Sequence, residues 1–328
     1  MSMITGEPLL VTLVKLVDRI PTPPPPKRRR GRPKFYPDRL FLKALVIMIV
    51  RHLHKTHELL TVLSQPTPEM QALRAQLTVN GCYPTRRTWE RRLQAMPTTL
   101  PAQIGCLGRY LVDLIAPWSQ SGRAVAADST TLQANGGVWH KKDREQGIVP
   151  HTAIDTEAHW TKSGWHGWVY GWKLHILAVV AAVWIPLAAE LTPANVADNE
   201  VAPALVREAP AEARYLLGDI HYNAPNVREA WEQDGRVLIT PQYGPYPHTG
   251  LGVEVRRLFH KLRSLAIENF NEHFKGIFDA HGQVPTKGLL NTQRFALGAI
   301  FVYQLALLYR FENGLDLNVG LKAFLKAA

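Results

Sequence analysis

Cysteine is scarce in this sequence, which contains only Cys82 and Cys106 among its 328 residues. Two cysteines are too few to form a disulfide framework in a chain of this length. Neither the cysteines nor the histidines recur at the paired spacings that zinc sites show. This scarcity argues against a disulfide-stapled secreted scaffold and a structural zinc domain, and it is typical of a protein of the reducing cytoplasm.

Long uninterrupted apolar runs are also missing. Residues 174–191 are interrupted by Pro186, and residues 295–309 contain Gln304 and fall short of the roughly 20 residues that span a bilayer. The first stretch is typical of two buried strands and the second of a core helix. Residues 1–17 lack the basic leader and long apolar core of a secretion signal. We therefore expect no membrane segment and a cytoplasmic location.

Acidic residues are few in the first third of the chain. Residues 1–123 contain 19 Lys and Arg against 7 Asp and Glu, a formal charge of +12, whereas residues 124–328 contain 19 against 20, a charge of −1. Nearly all of the excess positive charge therefore lies in one part of the chain. This asymmetry predicts a basic part that binds nucleic acid, joined to a neutral part with a different task.

Residues 1–34 form a predicted flexible N-terminal segment. A run of prolines at 21–26 cannot continue a helix and is typical of an extended linker. The basic run that follows resembles an AT-hook, in which Gly31 and Pro33 keep the chain narrow enough for guanidinium groups to enter a minor groove. The alternative is a solvated basic linker. In both cases we expect DNA contacts from Arg28, Arg29, Arg30, Arg32 and Lys34.

Residues 35–120 predict a small all-α domain of helix-turn-helix character that binds DNA. Apolar periodicity indicates helical structure over 38–63 and 70–77, and a further helix over 85–95 with Thr85 as its N-terminal cap. The last of these helices is unusually basic. A solvated basic face is the alternative interpretation, since exposed charge is common. The DNA-contacting residues predicted in this helix are Arg86, Arg87 and Arg91.

Residues 121–328 show short apolar runs alternating with helical patterns, which predicts a mixed α/β catalytic domain. A Gly- and Trp-rich stretch at 135–171 reads as a loop region. Strands are predicted at 124–127, 172–180, 185–191, 214–217 and 236–240. Helices are predicted at 198–208, 224–233, 255–280 and 292–311.

Three acidic residues are placed at or in the predicted strands and helices of this domain. Asp128 and Asp219 each follow an apolar run that reads as a buried strand, and Glu268 lies in a helical pattern. A lone Asp at the end of a strand more often caps the next turn, so the interpretation rests on the set. Carboxylates are the hard oxygen ligands that Mg²⁺ prefers, and converging acids suit two-metal phosphoryl transfer.

These segments resemble the DDE transposases of bacterial insertion sequences, whose catalytic domain is RNase H-like. Asp128-Ser129-Thr130 is similar to the first acidic motif of that family, and Gly218-Asp219-Ile220-His221-Tyr222 to the second. Residues 170–175 are similar to a Gly-x-Lys-x-His segment on the second strand. The resemblance implies a DNA contact from Lys173 in this segment. Residues 192–198 resemble the segment between the third strand and the following helix.

The third motif of the family is a helical series of Tyr, Arg, Glu and Lys. Glu268 and Lys275 have the family spacing of seven positions, which places both on one helix face. The expected Arg position holds Ser264, with Arg263 one residue earlier. Glu272 is a rival for the third acid. The resemblance implies DNA contacts from Arg263 and Lys275.

By this resemblance, Asp128, Asp219 and Glu268 are the catalytic residues and hold two Mg²⁺ ions per site, with Mn²⁺ as a substitute. The implied reaction hydrolyses phosphodiester bonds at the terminal inverted repeats and joins the 3′ hydroxyls to target DNA. It further implies double-stranded DNA as partner, a homodimer in the synaptic complex and a nucleoid-associated location in a bacterium. Two alternatives stay open: an inactive DNA-binding regulator derived from a transposase, and a related structure-specific nuclease.

Overall fold

The computed structural model of the protein describes residues 7–24, 34–117, 123–164, 167–241, 257, 259–263 and 267–328. The AT-hook-like arginines Arg28, Arg29, Arg30 and Arg32 lie outside these described residues. The chain divides into two compact units, one formed by Met1–Leu107 with Arg294–Ala328 and the other by Gly108–Gln293. The predicted domain boundaries at 34 and 120 stay predictions.

The described part of the chain begins with helices and has its strands after residue 123. The helices are α1 (Leu9–Leu16), α2 (Asp38–Val50), α3 (Thr56–Leu63), α4 (Pro68–Gln76), α5 (Arg86–Ala95), α6 (Leu100–Ile115), α7 (Lys141–Glu145), α8 (Asp198–Arg207), α9 (Pro225–Trp231), α10 (Asn269–Ile277), α11 (Leu289–Glu312) and α12 (Leu321–Lys326). The strands are β1 (Ala124–Gln133), β2 (His159–Ser163), β3 (Gly167–Val179), β4 (Pro186–Pro193), β5 (Tyr215–Leu217) and β6 (Val237–Ile239).

The first unit is helical throughout its described residues, apart from an isolated bridge between Val79 and Cys82. Helix α2 buries every residue from Leu40 to Val50, including Lys43, whose Nζ lies 2.6 Å from Asp18 Oδ2. Helix α5 is the opposite, since it buries only Trp89 and Leu93 and exposes most of its basic residues. The predicted cap of α5 is present, as the Thr88 N–H donates to Thr85 Oγ1 over 3.3 Å.

The second unit is built on a mixed sheet. Strand β1 runs antiparallel to β3 and parallel to β5, and β5 runs parallel to β6. On the far edge of β3, β4 pairs with Trp172–Ala178 and β2 pairs with the residues before them, both antiparallel. Helix α8 packs on β3 and β4. A mixed sheet flanked by helices confirms the predicted RNase H-like α/β class.

The predicted end of the first strand was wrong. Asp128 does not follow β1 but lies in its middle, because residues 129–133 continue the ladder against Gly171–His175 of β3. Correspondingly, the predicted loop region 135–171 contains α7, β2 and the first residues of β3. Thr130 and Thr131 are β-branched and suit a strand, but their polarity conceals the continuation of an apolar run.

Helix α11 is the only described helix that is long and apolar enough to cross a membrane by length and composition. Its most apolar window is 83% buried inside the protein, which is the behaviour of a core helix. Within it, the buried Gln304 donates from Nε2 to the Ile104 carbonyl oxygen over 2.9 Å. Its polar side chain is therefore accommodated in the core of the first unit.

The close approach of β1 to β3 gives a stability prediction at Gly171. A Cβ atom there would lie 2.0 Å from the Leu132 carbonyl oxygen and 2.9 Å from the Ala134 nitrogen. Because backbone atoms cannot yield cheaply, Gly171→Ala should lower the free energy of unfolding by about 3 kcal/mol or more, measured by urea unfolding. Gly282→Ala is the matched control, since a Cβ there meets nothing within 4 Å, and should change it by less than about 0.5 kcal/mol. Equal unfolding midpoints for the two variants would contradict the prediction.

Candidate active site

A cavity of about 870 Å³ in the second unit contains all three predicted acids in its wall. Asp128 comes from the middle of β1, Asp219 from the turn after β5, and Glu268 from the residue before α10. Residues far apart in sequence therefore share one cavity, as the sequence predicted. The same cavity is also lined by the basic side chains Arg263, Lys173 and Lys275, the amide Asn271 and the further acid Asp198.

Asp128 is the most confined of the three acids. Its side chain is 15% exposed, and each of its oxygens has its own partner: Arg263 Nη2 lies 3.2 Å from Oδ1, and Asn271 Nδ2 donates to Oδ2 over 3.3 Å. Burial raises the pKa of Asp128 to about 6; the Arg263 guanidinium opposes this shift, while the charges of Asp219 and Glu268 add to it. The carboxylate is therefore held in a place where added positive charge would be favourable.

Asp219 has the capping role that is usual for a strand-end Asp, and it lines the cavity as well. Its Oδ1 accepts a hydrogen bond from the His221 N–H over 2.8 Å and so begins the short 3-10 turn Ile220–Tyr222. Tyr222 is fully buried, and Gly218 leaves room for it, because a Cβ at Gly218 would lie 2.7 Å from the Tyr222 Cβ. The turn that carries Asp219 is thus fixed by packing on its other side.

Glu268 is joined to Asp128 through Arg263. Arg263 Nη1 donates to Glu268 Oε1 over 2.8 Å, so that one guanidinium contacts both carboxylates. The two residues are five positions apart, one more than the family spacing. Ile267 and Glu268 have π-helical hydrogen bonding, and a π turn places residue i+5 over residue i.

Glu272 differs from Glu268 in its surroundings. Its side chain is 69% exposed and lies 3.9 Å from the His281 Nδ1, although it too borders the cavity. Glu268 is 45% exposed and shares Arg263 with Asp128. The described contacts therefore favour Glu268 over Glu272 as the acid that acts with Asp128.

The donor set fits a hard divalent cation by its chemistry, because three carboxylates supply oxygen ligands. Among the described ranges, however, no three His, Cys, Asp or Glu side chains lie close enough together to hold a metal ion. The acids surround the cavity without closing on one point. The positive charge between Asp128 and Glu268 is supplied by the Arg263 guanidinium.

The two lysines of the second unit that were predicted to contact DNA, Lys173 and Lys275, lie in the cavity wall and not on an open surface. Lys173 is 15% exposed; its Nζ is 3.2 Å from Asp198 Oδ1 and donates to the Val196 carbonyl oxygen over 3.1 Å. Lys275 is buried, and burial lowers its pKa, against the opposing charges of Glu272 and Asp128. A phosphate could meet these ammonium groups only inside the cavity.

A buried polar cluster next to the cavity was missed by the sequence analysis. His175 is fully buried, with Nε2 2.9 Å from Thr192 Oγ1 and Nδ1 3.5 Å from Asp198 Oδ1. Burial lowers the pKa of His175 to about 4, so the ring is neutral at physiological pH. Asp198 opens α8 within a segment that the sequence identified only as a family motif. Asn271 was also missed, although it lies one helical turn beyond Glu268.

In the first unit, the predicted DNA-contacting residues of α5 are exposed. Arg86 forms an i,i+4 ion pair with Glu90, and Arg87 and Arg91 are solvent-facing. The neighbouring Arg92 turns inward and stacks over the Phe41 ring at 4.2 Å, which explains why it does not share their exposure. Lys34 is also exposed, 3.2 Å from Asp38.

A helix-flanked mixed sheet with three acids around one cavity defines an RNase H-like α/β protein. The family described as "Transposase DDE domain" matches residues 119–303, more than half of the chain. The chain belongs to this family, which confirms the predicted DDE-type transposase assignment. No curated protein matches the sequence.

Three solved structures resemble the chain weakly. A cryo-EM structure of the piggyBac transposase synaptic complex with hairpin DNA is 9% identical, with 97% of this chain and 76% of that chain covered and a TM-score of 0.39. The Mos1 transposase paired-end complex with left transposon end is 15% identical, with 88% and 80% covered and a TM-score of 0.22. A pre-cleavage Mos1 transpososome is 14% identical, with 86% and 80% covered and a TM-score of 0.21. These TM-scores are too low to support a conclusion, and the assignment to the transposase family rests on the match over residues 119–303.

The bridging role of Arg263 gives a second prediction. Arg263→Met leaves the buried Asp128 carboxylate without its cationic partner, so the free energy of unfolding at pH 8 in divalent-free buffer should fall by about 3 kcal/mol. The loss should shrink as the pH falls through 6, because a protonated Asp128 needs no counter-charge. Urea unfolding at several pH values measures both effects.

Arg228 offers a matched control, because its Nη1 lies 2.7 Å from Glu232 Oε1 in an exposed i,i+4 pair of the same unit. Arg228→Met should cost only about 0.5 kcal/mol, with no pH dependence near 6. An equal loss from the two substitutions would show that Arg263 is no more than a surface ion-pair partner.

Proposed function

We propose that the protein is a DNA transposase that binds the terminal inverted repeats of a bacterial insertion sequence. It hydrolyses phosphodiester bonds at the element ends and joins the released 3′ hydroxyls to target DNA. The observation that carries the proposal is the cavity in which Arg263 joins Asp128 to Glu268, with Asp219 in the same wall, in a chain of the transposase DDE family.

Asp128, Asp219 and Glu268 would hold two Mg²⁺ ions, with Mn²⁺ as a substitute. Ions so held supply activation of the attacking oxygen and neutralise charge on the phosphoryl group. The raised pKa of Asp128 supports a cation site, because the pKa of a buried carboxylate rises where compensating positive charge is insufficient. In this proposal Arg263 gives up its two carboxylate partners when the cations bind.

The basic side chains of the cavity would position the phosphodiester. Lys275 is buried beside the acids, and an ammonium group in a confined site interacts with a phosphate more strongly than one in water. Lys173 is held by Asp198, so its position is set before the substrate enters. Arg263, once released from the acids, has a planar donor fork that suits a phosphate.

The direct test is nicking of duplex DNA that carries the element ends, in the presence of Mg²⁺. Asp128→Ala, Asp219→Ala and Glu268→Ala should each reduce the rate by more than about 100-fold, beyond the 10–100-fold loss usual for a group that only supports a ligand. Glu272→Ala is the control at the cavity border and should keep near wild-type activity. A strong loss in Glu272→Ala alone would move the third ligand to that residue.

The remaining outcomes separate the alternatives. Retained cleavage in all three acid variants would refute the proposed site. Binding of the ends by the wild-type chain without any cleavage would favour the inactive regulator, and cleavage without joining in a plasmid-integration assay would favour a structure-specific nuclease. Because two ends must be joined together, we propose a homodimer in the synaptic complex, acting at the nucleoid of the bacterial cytoplasm.

Recognition of the ends is proposed for the basic first part of the chain, with α5 as the helix that contacts DNA. Arg87 and Arg91 lie four positions apart on one exposed face, next to Arg86. The AT-hook-like run Arg28, Arg29, Arg30, Arg32 and Lys34 is proposed to add contacts to the minor groove or the phosphates.

Removal of two phosphate contacts should flatten the salt dependence of binding. For Arg87→Ala/Arg91→Ala, we expect the slope of log K against log salt concentration to become less steep by about 2, measured by fluorescence anisotropy with duplex DNA. Arg19→Ala/Lys326→Ala removes the same charge from the same unit, at residues outside α5, and should leave the slope near the wild-type value. Identical slopes for both double variants would exclude α5 from the interface.

A further inference from the structure

Asn271 is a cavity residue that neither the acidic motifs nor the basic residues account for. It lies on α10, three positions after Glu268 and four before Lys275, so the three side chains share one helix face. The residue is only 6% exposed. Asn is a poor helix former in a helix interior, because its amide competes for backbone hydrogen bonds, so its presence there calls for another reason.

The contact with Asp128 fixes which way the Asn271 amide points. An ionised carboxylate only accepts hydrogen bonds, so the group that faces Asp128 Oδ2 at 3.3 Å must be Nδ2. The Oδ1 atom is therefore turned away from the carboxylate. The hydrogen bond to Asp128 therefore sets the orientation of the Asn271 amide.

The Oδ1 atom of Asn271 is buried, and no group in the described part of the chain donates a hydrogen bond to it. A buried carbonyl oxygen without a hydrogen-bond partner destabilises the folded protein. Such an oxygen, on a residue of the cavity wall, is suited to a ligand that brings positive charge. Amide carbonyl oxygens are regular ligands of hard divalent cations.

We propose that Asn271 is a fourth oxygen donor of the cation site, which both orients Asp128 through Nδ2 and offers Oδ1 to a divalent ion. This inference rests on the proposed function, since it presupposes that the acids hold a cation. Asn271 would add a neutral ligand to the three acids. This role would account for the amide side chain between Glu268 and Lys275.

The test measures Mn²⁺ binding to the DNA-free protein by electron paramagnetic resonance of the free ion. Asn271→Ala should weaken Mn²⁺ binding by about 10–100-fold, because a donor and the orientation of Asp128 are both lost. Asn271→Cys replaces a hard oxygen with a soft sulfur. It should weaken Mn²⁺ binding similarly but increase the ability of Cd²⁺ to displace the remaining Mn²⁺ by about 10-fold or more relative to wild type.

Controls separate the possible failures. Asn199 lines the same cavity, so Asn199→Ala and Asn199→Cys should bind both ions as the wild type does. Mn²⁺ binding that is absent in the wild type, or unchanged in Asp128→Ala, would overturn the cation site of the proposed function and this inference with it. If Asp128→Ala abolishes binding but Asn271→Ala leaves it intact, only the inference on Asn271 fails.

The soft-metal readout distinguishes a ligand from a residue that only orients Asp128. An orienting residue would weaken Mn²⁺ and Cd²⁺ binding equally in Asn271→Cys, and that outcome would overturn the proposal. Circular dichroism and thermal unfolding of each variant show that the fold is kept, so that a loss of binding reports on the site.

Discussion

The second unit depends on one unfavourable placement, the carboxylate of Asp128 in the middle of a buried strand. A charge in such a position is costly unless partners compensate for it. Arg263 and Asn271 each contact one oxygen, yet the pKa of Asp128 is still raised to about 6 because burial outweighs the guanidinium. The elements around the cavity are therefore arranged about a carboxylate that is only partly compensated.

That constraint is met by an ion pair between residues five positions apart, Arg263 and Glu268. Arg263 must contact both Asp128 and Glu268, and a regular helix brings residues three or four positions apart together, not five. The π-helical hydrogen bonding at Ile267 and Glu268 supplies the wider turn. Interruptions of this kind are frequent at functional sites, and here the contact they make possible is visible in the 2.8 Å ion pair.

The sequence predicted the mixed α/β class and one shared centre for Asp128, Asp219 and Glu268, because apolar runs and motif spacing are local signals. The three acids line one cavity, and their catalytic role stays a prediction. The sequence did not predict the length of β1, since residues 129–133 are held by Gly171–His175, some 40 positions later in the chain. Long-range pairing of this kind leaves no trace in apolar periodicity. The sequence likewise did not predict that Arg263 contacts Glu268, because the family spacing, which points to position 264, assumes a regular helix.

The residues that the sequence did not single out share one property: they act through contacts and not through charge pattern. Asn271 is neutral, and its importance appears only when its amide is seen against Asp128. Asp198 is one of many acids in the sequence, and its contact with Lys173 is visible only in the structure. Conversely, Lys173 and Lys275 were identified by their charge, but the structure places both in the cavity wall, where the interaction with a phosphate would be stronger and access narrower.

The charges of the cavity and of the first part of the chain set the order of events in the proposed reaction. Residues 1–123 carry a charge of +12 and would attract DNA, whereas the cavity wall contains five carboxylates, which oppose a phosphodiester. If Arg263 left Asp128 and Glu268, its positive charge would no longer offset the repulsion between these carboxylates and a phosphodiester. In the proposed reaction, cations held by Asp128, Asp219 and Glu268 would supply the charge compensation that Arg263 supplies here, and the guanidinium would then be available to a phosphate. Cation binding and substrate binding in the cavity would therefore favour each other.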